Sequence, residues 1–198
     1  MKKVVSLMLA LAMVAVMAAG CTSGNGGNGG DKNKPELTGT LEEILGKIYD
    51  KQSMGDMALE TMPIDLSKAD DEALFLVKTF SGLDNADDIG EMVTSSPLIG
   101  SIAYTLTLVR VKDASNAQAV ADKMKAGINP ARWVCVWADE VLISGYGDVV
   151  MLFMTSSEAE VHAQDLTNAF KEVCGADLDF TVEVPYTPQG GLGGIVLG

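Results

Sequence analysis

The spacing of apolar residues changes several times along the chain. Val4 to Met17 is an almost unbroken apolar run, interrupted only by Ser6, and Thr22 to Pro35 then holds no apolar residue that could pack. Helical spacing follows. Leu41, Ile44, Leu45 and Ile48 share one face behind Thr40-Leu41-Glu42-Glu43, which has the form of a capping box. Asp70 to Phe80 predicts a weaker helix, because its Ala73 to Val77 core also suits a strand. Ser115-Asn116-Ala117-Gln118 predicts a third start, with Ala117, Val120, Ala121 and Met124 behind it. Ser157-Glu158-Ala159-Glu160 predicts a fourth, with Ala159, Ala163, Leu166, Phe170 and Val173 on one face.

Strand spacing fills the gaps. Ile102, Tyr104, Leu106 and Leu108 alternate with Ala103, Thr105 and Thr107, a half-buried pattern. Glu140 to Thr155 reads as a hairpin turning at Gly145 to Asp148. Its second arm, Val149 to Met154, is apolar on both faces and so belongs in the middle of a sheet. Arg132 to Trp137 reads as an extended run with Trp133, Cys135 and Trp137 on one face, and Ile89 to Thr94 as an edge strand ahead of Pro97. The order is α-α-β-β-α-β-β-α, which predicts an α+β two-layer sandwich: a mainly antiparallel sheet with helices packed on one face. A C-terminal strand extends it. Leu178, Phe180, Val182 and Val184 alternate with Asp179, Thr181 and Glu183, after Gly175 and before Pro185. That strand either docks on a sheet edge of its own domain or waits for the edge of a partner.

The first apolar run is targeting, not fold. Lys2 and Lys3 precede it, small residues Ala18, Ala19 and Gly20 follow it, and it falls short of the ~20 residues of a spanning helix. Ala18-Ala19-Gly20-Cys21 resembles the lipobox of bacterial lipoproteins, with Ala18 where leucine is commoner. The resemblance implies cleavage before Cys21 and acylation of its thiol and amine. Two or more acyl chains hold a membrane where one binds marginally. The domains expected are therefore a signal peptide over 1–20, a Gly/Asn-rich tether over 21–39, one folded domain over 40–174 and a tail over 175–198 with a flexible Gly-rich end. A Gly-rich coil from Cys21 to Thr40 has a root-mean-square reach of roughly 20–25 Å.

Charge narrows the partners. The chain carries 14 Lys and Arg against 27 Asp and Glu, a net −13. Losing Lys2 and Lys3 leaves 12 against 27, or −15. Such a domain repels nucleic acid and anionic lipid, so the partners expected are the membrane, through lipid on Cys21, and an envelope protein or a small ligand. Beyond Cys21 there are two thiols, Cys135 and Cys174, read as two separate buried cysteines in preference to a disulfide. The single histidine, His162, could serve Cys135 as a base. A thiol between tryptophans in an apolar strand is instead expected to be buried and inert. Carboxylates gather at Asp70-Asp71-Glu72 and at Asp84, Asp87, Asp88 and Glu91. An EF-hand reading fails at Ala86 and Ile89, so these read as a helix cap and a solvated loop. No catalytic, metal or cofactor site is assigned.

Three stretches carry a wider resemblance: Pro97 to Asn116, Ile128 to Val141 and Gly147 to Ser156. Ser101-Ile102-Ala103, Arg110-Val111-Lys112, Asn129-Pro130 with Trp133 and Cys135, and Gly147-Asp148 together resemble an uncharacterised family of Gram-positive, Clostridia-type lipoproteins built on a domain of unknown function. The likeness spans about Thr40 to Val173. It implies an envelope lipoprotein and brings no catalytic residue with it. The expected role is a non-catalytic binding or envelope-assembly module on the outer face of the cell membrane, the alternative being a small extracytoplasmic thiol enzyme or redox protein using Cys135. Cys21→Ser is expected to abolish incorporation of labelled palmitate and to leave the precursor uncleaved.

Overall fold

The computed structural model describes residues 36–186 apart from 69, 100 and 101. The signal segment, Cys21, the tether to residue 35 and the glycine tract after residue 187 lie outside the described residues. The order is α1 (Leu41–Lys51), β1 (Leu59–Pro63), α2 (Asp71–Ser81), β2 (Ile89–Pro97), β3 (Tyr104–Val111), a short 3-10 turn, α3 (Ala117–Gly127), β4 (Glu140–Tyr146), β5 (Val149–Thr155), α4 (Ala163–Cys174) and β6 (Phe180–Glu183). The strands form one antiparallel sheet in the order β1-β2-β3-β5-β4-β6. The fold is α+β, as the patterning predicts.

Helices cover the sheet more fully than two layers require. Tyr104, Leu106 and Leu108 of β3 and Val149, Met151 and Phe153 of β5 pack against α1 and α4. The alternate residues Val109, Val111, Val150, Leu152 and Met154 pack against Val77 of α2 and against α3. The sheet is therefore the middle layer between two helix pairs. β5 is buried along its whole length, and a strand apolar on both faces needs cover on both. β3 is also wholly shielded at Thr105 and Thr107, where alternation suggests a wet face. Their hydroxyls are spent locally: Thr107 donates to the carbonyl of Phe80 at 2.9 Å, and Thr105 to that of Tyr104 at 2.6 Å.

Several elements depart from the sequence reading. β1 is an added strand. Its five residues bury little, and its pairing with β2 moves β2 off the sheet edge. Arg132 to Trp137 is irregular, because Ala138 N–H closes back on the carbonyl of Pro130 at 2.9 Å and the run never pairs. The Ser115 start is replaced by Asp113, which caps the 3-10 turn by accepting from Ser115 N–H at 2.9 Å. α4 begins at Ala163 and not near Ser157. Ser157 is drawn away by Asp139, which accepts its N–H and hydroxyl at 2.6 and 2.7 Å. Glu140 of β4 then accepts the Ala163 N–H at 2.9 Å, capping the helix from across the fold. The Thr40 capping box forms as predicted, and Leu37, ahead of the expected boundary at 40, is already buried against α1 and α4.

β6 docks on β4 of its own domain, from Phe180 against Gly145 to Glu183 against Leu142. A Cβ on Gly145 would lie 2.1 Å from the Phe180 ring, so glycine there lets the aromatic lie flat on the strand. Leu178 does not share the Phe180 face; it precedes the strand and packs on the α1/α4 side.

The point where the chain enters the domain is tied down by Arg110 at the end of β3. Its Nε donates to Glu91 at 3.1 Å, Nη1 to Asp148 at 2.9 Å and Nη2 to the carbonyl of Gly39 at 2.7 Å. Glu91 also accepts the first helical N–H, that of Leu41, at 2.9 Å. Burial pulls the Arg110 guanidinium toward losing its proton, and the bonds to Asp148 and Glu91 outweigh that, so its pKa sits above the usual arginine value. Arg110→Lys, which offers no planar fork, is expected to cost about 1–3 kcal/mol in urea unfolding and to speed amide exchange at Leu41.

Candidate functional site

The antiparallel ladder gives the domain two ends. Arg110 pairs with Val149, and Val149 with Tyr146, at the end that holds Gly39. Tyr104 pairs with Thr155, and Thr155 with Glu140, at the other. Four loops converge on this second end: the connections α1–β1, β2–β3, α3–β4 and β5–α4. Together they line a cleft of about 650 Å³.

Backbone bonds stitch the loops together. Ser156 N–H donates to the carbonyl of Ala103 at 3.2 Å, and Leu98 N–H to that of Ala58 at 3.0 Å. Asp139 joins the α3–β4 loop to Ser157 of the β5–α4 loop. Burial pushes the Asp139 carboxyl up, and the Ser157 hydrogen bonds outweigh it, leaving the group below its ordinary pKa. The sign follows: this contribution to stability is present above the ordinary carboxylate pKa and is lost as pH falls through the lowered value.

The lining is apolar with an acidic rim. Met54, Met57, Ile102, Val136, Trp137 and Val161 supply the apolar surface; Asp56, Glu158 and Glu160 carry charge beside it. Around the opening lie further exposed apolar side chains. Val134 is fully exposed, Ile99 is 69% exposed and Trp137 is 45% exposed, with Leu98 beside Ile99. Scattered exposed aliphatics need no explanation, but these four with the 36% exposed Ile102, on two loops at one end of a domain, form a patch of the kind that binds.

Cys135 lines this cleft and is exposed. The expected burial is overturned, and the reason is the missing strand: without period-2 alternation the two tryptophans do not flank the thiol. Trp133 turns inward instead, where the Arg132 guanidinium lies 4.6 Å from its ring centroid and 4.5 Å from that of Phe80. Burial lowers the Arg132 pKa to about 10. Cys174 is buried in α4, and no disulfide joins it to Cys135.

His162 is not delivered to Cys135. It is the N-cap of α4, its Nδ1 lies 3.0 Å from Glu140, and it does not line the cleft. The acidic clusters have structural partners. Asp70 caps α2 by accepting from Ala73 N–H at 2.9 Å; Lys78 reaches Asp84 at 2.6 Å, and Lys123 reaches Asp88 at 2.5 Å. Among the described residues no group of three or more His, Cys, Asp or Glu could hold a metal ion, and no helix is long and apolar enough to cross a membrane.

The cleft was not legible in the sequence. The apolar positions Leu98, Ile99 and Val134 stand in loops where periodicity assigns no face, and only the strand pairing gathers those loops. In the folded protein, a neutral alkylating reagent is expected to modify Cys135 readily and to leave Cys174 protected, as read by peptide mass spectrometry; equal protection of both would contradict the open cleft. No family model, no curated protein and no solved structure matches this chain, which leaves the geometry and chemistry of this cleft as the ground for a functional reading.

Proposed function

We propose that this chain is a lipid-anchored module of the cell envelope that binds a partner through the cleft and catalyses nothing. The observation that carries the reading is the opposition of the two ends. Chain entry at Gly39 is clamped by Arg110 at one, and the apolar, acid-rimmed cleft opens at the other. With lipid on Cys21, the Gly-rich tether would hang the domain by its Arg110 end and turn the cleft away from the bilayer. An apolar floor beside Asp56, Glu158 and Glu160 suits a partner that combines an apolar side chain with a cation. The lipobox-like Ala18-Ala19-Gly20-Cys21 in the sequence supports the same placement.

A second reading, an extracytoplasmic thiol enzyme, is favoured by one observation: Cys135 is exposed in the cleft. Against it, His162, the one histidine that could serve the thiol as a base, does not line the cleft and is engaged by Glu140.

The two readings separate in one experiment. A photo-crosslinking amino acid at Val134 is expected to trap a discrete adduct in intact cells. Trp137→Asp should remove that adduct, and Cys135→Ser should leave it in place. Loss of the adduct with Cys135→Ser would favour the thiol enzyme, and an adduct indifferent to Trp137→Asp would sink the binding-module reading.

A further inference from the structure

The chain has two arginines, and the fold treats them differently. Arg110 meets two carboxylates and a carbonyl. Arg132, in the α3–β4 loop, has one acceptor among the described residues, the Thr105 hydroxyl, to which its Nη2 donates. No Asp or Glu among them pairs with it, in a chain that carries 27. Its Nε–H is buried without an acceptor, and Nη1, also without a partner among the described residues, is open to water. The rings of Phe80 and Trp133 hold the plane of the guanidinium, their centroids 4.5 and 4.6 Å from its carbon. Most N–H donors of this half-buried cation therefore go unspent, and burial, the one influence on its pKa, acts against its charge.

We infer that Arg132 is the receptor for an external monocarboxylate with an apolar tail, which takes the Nη1/Nη2 edge of the guanidinium and lays its tail on Val134. The aromatic rings cover the faces of the guanidinium, so its edge is what remains for a ligand. Nη2 carries a second N–H beyond the one Thr105 accepts, and with Nη1 it makes the fork that a carboxylate fits with both oxygens. Two rings and a hydroxyl already fix the side chain, so little rotamer freedom is left to lose on binding. One guanidinium supplies one positive charge. A polyanion would meet more repulsion from a chain of net −13 than that charge offsets, whereas a monocarboxylate is matched. Val134, two residues on, is fully exposed and gives the tail an apolar surface to cover. Arg132 does not line the cleft, whose rim of Asp56, Glu158 and Glu160 repels the same anion. The site is thus a second one, for a ligand of opposite charge.

The test uses the full-length protein in nanodiscs of zwitterionic lipid, with isotopically labelled arginine, and reads the side-chain Nε–H signals by NMR. Arg110, locked by its own carboxylates, is the internal control. Hexanoate is expected to move the Arg132 signal saturably and to leave that of Arg110 in place, while hexanol and hexylammonium at the same concentration move neither. Arg132→Lys keeps the charge and loses the planar fork, and calorimetry should show it binding hexanoate about tenfold more weakly. Should that variant not fold, the signals of the unsubstituted protein decide. An Arg132 signal indifferent to hexanoate would overturn the inference, and so would an equal response to hexanol or hexylammonium. A response to inorganic phosphate as large as that to hexanoate would overturn the monocarboxylate assignment. None of these outcomes bears on the loss of the Val134 crosslink in Trp137→Asp, so this site and the cleft reading fail separately.

Discussion

All seven residues of β5 are buried, and a strand with no wet face dictates the layers around it. Its two faces require two helix pairs, α1 with α4 and α2 with α3, and its two edges require neighbours, β3 and β4. Burial of large aliphatic and aromatic side chains contributes ~1.5–3 kcal/mol each, an upper estimate, so the sides of this one strand hold much of the domain's cohesion. Some of the polar groups that enter the same layers are satisfied within the fold, while the Thr155 hydroxyl at the end of β5 is buried without a hydrogen-bond partner. Tyr49 and Tyr104 share a hydrogen bond at 2.9 Å under α1, and burial raises both phenols above their ordinary pKa.

Because the sheet is antiparallel throughout, its loops fall at two ends with different chemistry. One end is a knot of charge: Arg110, Glu91 and Asp148 close over the start of α1. A guanidinium serving three acceptors is costly to replace, and it fixes the direction from which the chain arrives. The other end spends its hydrogen bonds on joining loops and leaves apolar side chains facing water. The loops around the cleft are held by backbone bonds and by Asp139, so the surface they present is preformed. The charged knot at the start of α1 and the apolar cleft therefore lie at opposite ends of the sheet.

Cys135 shows how a local pattern misleads. Arg132 to Trp137 has the alternation of a strand, yet its backbone bends back so that Ala138 bonds Pro130. Arg132 lodges between Phe80 and Trp133, which takes one tryptophan inward and leaves Val134 and Cys135 in water. Nothing in the hexapeptide could reveal this, because Phe80 comes from a helix some fifty residues earlier.

The helix with a strong cap and stripe, α1, was readable locally, since capping and 3.6-residue periodicity act within a turn or two, and α2 was readable as a weaker helix whose core also suited a strand. The central place of β5 and the strand character of β6 were readable too, from an all-apolar arm and from alternation, whereas the docking of β6 on β4 was decided by the fold. The start of α4 was not. Asp139 and Glu140 decide it from outside the segment, by claiming Ser157 and capping Ala163. β1 owes its existence to the free edge of β2, and the cleft to four loops brought together by pairing between distant strands. The sequence by itself determined what each segment buries, because burial follows from side-chain chemistry and local period. Which segments meet, which edges close and which apolar residues stay in water were decided only in the tertiary structure, because those depend on contacts between residues the chain holds far apart.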